Sequence, residues 1–230
     1  MSKAYSVYNC NDYYSISDAI DVLKKYKSEA GTKFNESVDL SVRLGVDTNK
    51  SDQNVKGFVE LPNGNGKKSK VLVFANDNNI DLALKLGATY AGGDELIEKV
   101  ASGEINDFDK CVATKNMMPK LVKIARLLGT RGLMPNVKLG TVVEDNVENV
   151  VKSLLKGRSD LKTEKDGSVK LSIGKIDFDN DKLIENFKEV ILTIKQLRPA
   201  SVKSNYFVAV VVSTTMGVGV KVKMSDIYSL

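Results

Sequence analysis

Val71-Leu72-Val73-Phe74-Ala75 is the stretch that decides the fold of this 230-residue chain. The run is apolar without polar alternation, which is typical of a strand that helices cover on both faces of a parallel sheet. Short apolar strands are predicted after it at 88–91 and 111–113, and helices at 80–86, from Asp94, at 116–128 and at 144–155. These repeated strand–helix units predict a three-layer α/β domain over residues 70–157.

The sequence on either side of this domain has a different pattern. Val38, Leu40, Val42 and Leu44 alternate with polar residues, which predicts a half-buried strand of an antiparallel sheet. Ser15 is predicted to cap a preceding helix that ends near Gly31. Further predictions are a strand at 55–61, a hairpin of strands 161–163 and 168–173, a helix from Asp179 to about 197, and paired strands at 206–213 and 218–223. Residues 1–69 and 158–230 therefore form a discontinuous α+β domain into which 70–157 is inserted.

Composition excludes several classes of function. The chain has 42% hydrophobic and 27% charged residues, as a globular protein does, and its net charge of +5 favours an anionic partner. Because it has no histidine, Ser-His-Asp and Cys-His catalysis and imidazole metal ligands are excluded. Cys10 and Cys111 lie too far apart for a CxxC motif; one disulfide is conceivable, but a reducing cytosol is favoured. We expect no signal peptide, no membrane span, no metal and no cofactor.

Two glycine-bearing segments of the α/β domain raise the alternative of a nucleotide-dependent enzyme. The loop 129–140 carries three glycines with Arg131 and Lys138, but it lacks the order GxxxxGK[ST] of a phosphate-binding loop. It is either a connection without a ligand or a loop whose backbone amides approach phosphate. The segment 87–93 contains Gly92-Gly93, but it lacks GxGxxG directly after the first strand.

A further candidate segment lies between the last two strands. Ser213-Thr214-Thr215-Met216-Gly217 follows Lys203 and precedes Lys221 and Lys223. Hydroxyls and turn amides bind sugar and phosphate groups of RNA, although a β-turn that uses Thr and Gly for conformation explains the segment equally well. Phe34, at the start of the first strand, is either a stacking residue for RNA or part of the core.

In order along the chain, several segments resemble one known family. They are Lys33-Phe34-Asn35-Glu36-Ser37-Val38, Lys50-Ser51-Asp52-Gln53-Asn54-Val55-Lys56-Gly57, Gly92-Gly93-Asp94-Glu95, Arg131-Gly132-Leu133-Met134-Pro135-Asn136 and Thr214-Thr215-Met216-Gly217. Over roughly 15–223 the chain resembles the L-one family of large-subunit ribosomal proteins, which form the mobile stalk beside the tRNA exit site. The resemblance implies the split α+β domain with a Rossmann-like insert, and no enzymatic activity. The family commonly has proline at the positions of Thr130, Val137 and Val218, and histidine in place of Asn63. The loss of the first two prolines predicts a less rigid 129–140 loop.

The resemblance also implies function, partners and site residues. The family binds the ribosomal RNA of the stalk in the cytoplasmic large subunit, helps deacylated tRNA leave the exit site, and represses translation of its own messenger RNA by binding the leader. The free protein is expected to be a monomer. The RNA contacts carried over are Lys33, Phe34, Ser37, Asp39, Lys170, Ser213, Thr214, Thr215, Met216 and Gly217, with Arg131 and Lys138 as auxiliary contacts to RNA or tRNA. A regulatory RNA binder outside the ribosome is a third possibility.

Overall fold

The computed structural model describes residues 9, 11–67, 69–143, 147–202 and 205–229, so Cys10 and Lys203 lie outside the described residues. The chain divides into two compact units. The terminal unit combines the residues up to Gly66 with those from Ser159, and the inserted unit is Lys67–Arg158.

Helices and strands occur in both units, and they are numbered in chain order. The helices are α1 Ile16–Ala30, α2 Asp77–Lys85, α3 Asp94–Ser102, α4 Met118–Leu121, α5 Ala125–Thr130, α6 Val147–Lys156, α7 Asn180–Gln196 and α8 Met224–Tyr228. The strands are β1 Ser37–Leu44, β2 Lys56–Val59, β3 Val71–Phe74, β4 Tyr90–Gly92, β5 Lys110–Thr114, β6 Val142–Val143, β7 Ser159–Lys162, β8 Ser168–Lys175, β9 Phe207–Thr214 and β10 Gly219–Lys221.

The terminal unit is built on an antiparallel sheet in the order β10-β9-β1-β8, with β2 and β7 as a separate pair. Helix α1 begins as predicted, because the Ser15 side chain accepts a hydrogen bond from the Asp18 amide at 3.2 Å, and it ends at Gly31. The alternation of β1 is also confirmed: Val38, Leu40 and Val42 are fully buried. Their side of the sheet packs against α1 and α7, so the other side is left to carry polar residues.

The inserted unit is built on a parallel sheet in the order β4-β3-β5-β6. Leu72 and Phe74 of β3 pack with α3, α4 and α5, whereas Val71 and Val73 pack with α2 and α6. The uninterrupted apolar run is therefore covered on both faces, as predicted. Cys111 of β5 is a free thiol, and burial raises its pKa.

The helix predicted at 116–128 is broken in the structure. Two short 3-10 turns, Lys115–Met117 and Val122–Ile124, flank α4, and α5 begins only at Ala125. Pro119 lies in the first turn of α4, where its missing amide hydrogen does not interrupt the helix. Two elements, β6 and α8, were not predicted, and α2 begins three residues before the predicted start at 80. Residues 144–146, where the next helix was predicted to begin, lie outside the described part of the chain.

The hairpin predicted from 161–173 is wrong in its pairing. The turn itself is present, because the Gly167 amide donates to the Glu164 carbonyl at 3.0 Å and a bridge joins Thr163 to Val169. Beyond that bridge the strands separate: β7 pairs with β2, and β8 pairs with β1 over its whole length. The sequence indicated both strands, but not the partner of either.

Candidate nucleic-acid interface

The turn between β9 and β10 is closed tightly. The Gly217 amide donates to the Thr214 carbonyl at 3.1 Å, which makes 214–217 a hydrogen-bonded β-turn. A Cβ atom at Gly217 would lie 2.1 Å from Thr214 Oγ1 and 3.4 Å from Tyr26 Cδ1, so only glycine fits this position without rearrangement. Glycine is thus required here because the turn has no space for a Cβ atom.

Hydrogen bonds between Thr215 and Ser37 join this turn to the start of β1. The Thr215 amide donates to the Ser37 carbonyl at 3.2 Å, and the Ser37 amide donates to Thr215 Oγ1 at 3.1 Å. The two residues are 178 positions apart in the chain. The antiparallel pairing of β1 with β9 therefore brings together the two segments that the sequence offered separately.

Exposed apolar groups accompany these polar ones. The side chain of Phe34 is 50% exposed and that of Met216 is 65% exposed, although both are large and apolar. Lys33 beside Phe34 is exposed as well. Because Phe34 does not enter the core, the stacking interpretation of this residue is favoured over the core one.

The open face of the sheet extends the site from the turn. Asp39 of β1 lies opposite Ser213 of β9 and Ser172 of β8, so these side chains share one face. Thr214 lies on the other face and is only 3% exposed, so its side chain is not part of the exposed surface that was predicted for it. The period of two along β9 explains this correction, because neighbouring residues point to opposite faces.

Lys170, the basic contact predicted on β8, is exposed and forms ion pairs within the protein. The Lys170 ammonium is 2.5 Å from a Glu164 carboxylate oxygen and 3.9 Å from one of Asp166, and the hydrogen bond to Glu164 raises its pKa. Lys175, which was not predicted, donates to Ser37 Oγ at 3.0 Å and to the Asn35 carbonyl at 3.3 Å. The pairing of Ser37 with Lys175 across the sheet, which the sequence did not indicate, is what brings this lysine to the site.

Glu36 is a second residue that the sequence pattern did not assign to the site. Its side chain is 2% exposed; one carboxylate oxygen accepts from Thr32 Oγ1 at 2.5 Å and the other from the Met216 amide at 3.3 Å. The signal was the alternation of β1, which extends one step further back: positions 36, 38, 40, 42 and 44 are all buried.

The auxiliary residues Arg131 and Lys138 belong to the inserted unit. The Arg131 guanidinium donates to the Asn106 carbonyl at 3.0 Å and to its side-chain oxygen at 3.1 Å, whereas Lys138 is exposed. The loop that contains them is held by its own hydrogen bonds, among them Asn136 amide to Thr141 Oγ1 at 2.8 Å and Thr141 amide to the Asn136 carbonyl at 3.1 Å. These bonds join the two ends of the segment 136–141.

The structure disfavours the alternative of a nucleotide-dependent enzyme, because the concave region beside Gly92 and Gly93 does not suit a phosphate group. A concave region of about 480 Å³ lies at the start of α3 and is lined by Gly92, Gly93, Asp94 and Glu95. Two carboxylates in the first turn of α3 disfavour a pyrophosphate at that helix end. In the described part of the chain, no group of carboxylates and thiols is arranged to hold a metal ion. Within the same residues, every helix falls short of the length and hydropathy of a membrane span.

The surface combines an exposed ring and an exposed thioether with hydroxyls and lysines on two hydrogen-bonded segments. Such a combination is typical of a protein that binds a nucleic acid through its surface. The comparisons with known proteins agree with that class. The family model of the ribosomal protein L1p/L10e family matches residues 23–218, and the chain belongs to this family. Its members are structural, non-enzymatic proteins of the large ribosomal subunit, which associates them with ribosomal RNA.

Individual relatives match along nearly the whole chain. The large ribosomal subunit protein uL1 of Persephonella marina is 44% identical over 225 residues, covering 98% of this chain and 93% of the relative. That of Thermosipho africanus is 44% identical over 212 residues, covering 92% and 90%. That of Syntrophobacter fumaroxidans is 47% identical over 190 residues, covering 83% and 80%. Large ribosomal subunits are cytoplasmic in bacteria, in agreement with the expected location.

Proposed function

We propose that the terminal unit binds the stalk region of large-subunit ribosomal RNA through the start of β1 and the β9–β10 turn. One observation carries the proposal: the paired hydrogen bonds between Ser37 and Thr215 unite two distant segments into one surface. Phe34 and Met216 present apolar groups on the same two segments. The residues assigned to the RNA contact are Lys33, Phe34, Ser37, Asp39, Lys170, Lys175, Ser213, Thr215, Met216 and Gly217.

The hydrogen bonds of the turn determine which of its polar groups can contact the RNA. The amides of Thr215, Met216 and Gly217 are each used inside the protein, by Ser37, Glu36 and Thr214 respectively. The Thr215 hydroxyl is also used inside the protein, because it accepts from the Ser37 amide at 3.1 Å and donates to the Ser37 carbonyl at 3.5 Å. The backbone carbonyl oxygens of Thr215, Met216 and Gly217 are therefore the polar groups that we assign to the RNA contact. Carbonyl oxygens accept from ribose 2′-hydroxyls, which DNA lacks, so we expect selection of RNA over DNA of the same sequence.

The remaining groups supply affinity. The Phe34 ring stacks on an unpaired base or packs on a ribose, and Met216 fills the adjoining apolar surface of the RNA. Lys33 and Lys175 contact phosphates, which gives a salt-dependent contribution that does not depend on sequence. Recognition on this scheme depends on the shape of a folded RNA and on its sugar edges.

The wider role assigned to the protein follows from the resemblance. We propose that the Rossmann-like inserted unit makes auxiliary contacts to RNA or exit-site tRNA, chiefly through Lys138, and that the protein assists release of deacylated tRNA. We also propose that the same terminal surface binds the leader of its own messenger RNA and represses translation, and that the free protein is a monomer. A reporter carrying that leader tests repression: unchanged expression when the protein is overproduced removes this part of the proposal.

A binding titration tests the central assignment. The full chain is titrated with a folded stalk RNA fragment, with its DNA counterpart and with a scrambled RNA duplex of equal length, at several salt concentrations. We expect a preference for the stalk fragment that persists as salt is raised. Equal binding to all three, with one steep salt slope, would show only a basic surface.

A matched pair of variants locates the surface. Phe34→Ala removes an exposed ring at the assigned site, whereas Phe58→Ala removes one that is 37% exposed on β2, in the other sheet of the terminal unit. We expect Phe34→Ala to weaken stalk binding by about 1–3 kcal/mol, the usual contribution of a stacked base. Phe58→Ala should leave the affinity unchanged, and an equal loss in both variants would contradict the assignment.

A further inference from the structure

Glu36 occupies an unusual place for a carboxylate. The residues before it, Lys33, Phe34 and Asn35, are exposed, but the Glu36 side chain turns inward and is 2% exposed. A buried carboxylate is unfavourable unless hydrogen bonds and a nearby positive charge compensate for the lost water. Its partners therefore indicate why an acid stands at this position.

The partners of Glu36 come from separate parts of the terminal unit. Thr32, just after α1, donates its hydroxyl to Oε1, and the Met216 amide donates to Oε2. The backbone carbonyl of Glu36 accepts from the Ile176 amide at 3.0 Å, directly after β8. One residue thus connects the end of α1, the end of β8 and the β9–β10 turn.

The charge state of Glu36 suits this position. Burial raises the pKa of its carboxyl, but hydrogen bonds from Thr214, Thr32 and the Met216 amide, together with the charge of Lys27, outweigh burial and leave the pKa below its ordinary value. The Thr214 hydroxyl has no partner at conventional hydrogen-bond geometry, so its effect on the carboxylate is that of a nearby dipole. Because the carboxylate is ionised, its bond to the Met216 amide is charge-assisted.

The contact of Glu36 decides the orientation of the turn. Since the Met216 amide points inward to Oε2, the adjoining Thr215 and Met216 side chains are left exposed. The Ser37–Thr215 bonds hold the first residue of the turn, and the close fit of Gly217 to Thr214 and Tyr26 holds the last. Glu36 holds the middle of the turn through its hydrogen bond with the Met216 amide.

We propose that Glu36 is a positioning residue for RNA recognition, whose buried carboxylate holds the Met216 amide and so fixes the turn before RNA binds. This inference rests on the proposed function, because the turn is the assigned RNA contact. A turn that is already ordered loses less conformational freedom on binding, so removal of the support weakens affinity without removing any group that touches RNA.

The decisive test uses the sign of the effect on affinity. Glu36→Gln removes one negative charge, and Glu189→Gln on the exposed surface of α7 removes the same charge away from the turn. Charge alone predicts equal or tighter RNA binding for both variants. The positioning role predicts a loss of about tenfold for Glu36→Gln only, with an unchanged salt slope, as for a lost specific contact rather than a lost phosphate contact. Tighter or unchanged binding by Glu36→Gln would overturn the proposal.

A second readout follows the turn directly, without RNA. Hydrogen exchange of the Met216 amide should become several-fold faster in Glu36→Gln, while amides of the β1–β9 ladder such as that of Val212 keep their protection. Uniformly faster exchange would instead indicate a merely structural role. If Glu36→Gln does not fold, Thr32→Val removes the partner of Oε1 and should produce the same two effects at smaller amplitude.

A double-variant experiment separates this inference from the proposed function. If Glu36 acts through Met216, Glu36→Gln should cost little further affinity in a Met216→Ala background. Full additivity would contradict the positioning role. If Phe34→Ala, Met216→Ala and Glu36→Gln all leave stalk binding unchanged while exchange of the Met216 amide still accelerates, the proposed RNA surface fails but the support of the turn stands.

Discussion

Gly217→Ala tests whether the close fit of the β9–β10 turn sets both stability and RNA affinity. An added Cβ would lie 2.1 Å from Thr214 Oγ1 and 3.3 Å from Thr214 Cβ, whereas ordinary contacts begin near 3.4 Å. The overlap with the hydroxyl is thus about 1.3 Å, larger than small side-chain adjustments absorb. Thr214 is β-branched and 3% exposed, so its rotation is restricted.

The magnitude follows from this overlap. Overpacking of a well-packed site costs about 1–3 kcal/mol, and we expect Gly217→Ala to lower the free energy of unfolding by that amount. Displacement of the turn should also weaken stalk binding by about 1–3 kcal/mol, or roughly 5–150-fold, as for a lost specific contact. Urea unfolding followed by circular dichroism and an RNA titration measure the two effects.

Two further variants make the result interpretable. Gly129→Ala adds a Cβ with no atom within 4 Å of it, so it should not destabilise the chain. Thr214→Ala removes the hydroxyl that meets the new Cβ, so Gly217→Ala should cost less in that background. An unchanged urea midpoint and RNA affinity in Gly217→Ala would refute the reasoning, because the turn would then tolerate a side chain where the geometry leaves no space.

Three more outcomes follow from the same structure. Met216→Ala should weaken stalk binding by about 1–3 kcal/mol and change the free energy of unfolding by less than about 0.5 kcal/mol. Val208→Ala, which truncates an apolar residue of β9 that is 48% exposed, should change neither; a stability loss in Met216→Ala would contradict this prediction. Replacement of Lys67–Arg158 by a short flexible bridge should leave a folded terminal unit with most of the RNA affinity, since that unit has its own core; a folded variant without RNA binding would transfer the site to the insert. Burial raises the pKa of Tyr206 from 10.0 to about 12, so its contribution to stability is fully present below pH 10 and is lost as the pH rises towards 12. In urea unfolding at about pH 7 and about pH 11, Tyr206→Phe should therefore lose less free energy of unfolding between the two pH values than the unchanged protein does. An equal loss in both proteins would refute the assignment.

Local signals accounted for the elements that were predicted well. The start of α1 was legible because Ser15 and Asp18 form a cap within one turn, and β1 because burial along a strand repeats every two residues. The run at 71–75 implied helices on both faces because no polar position interrupts it. Each of these signals lies within a few neighbouring residues.

The errors concern features that depend on distant partners. The strand at 159–162 pairs with β2 and does not continue the predicted hairpin, and nothing in its own sequence identifies that partner. The segment 115–130 carries apolar residues at helical spacing, yet 3-10 turns divide it. The two-residue strand β6 exists only through its pairing with β5.

The candidate site divides in the same way. By itself the sequence determined which residue types stand at Phe34, Thr215, Met216 and Gly217, and hence the chemistry of the proposed RNA contact. Tertiary structure alone decided that Ser37 meets Thr215, that Thr214 faces the core, that Lys175 rather than Lys170 lies beside Ser37, and that Glu36 supports the turn. The physical reason is that residue chemistry and strand period are local properties, whereas the partner across a sheet is selected by the free energy of the whole fold.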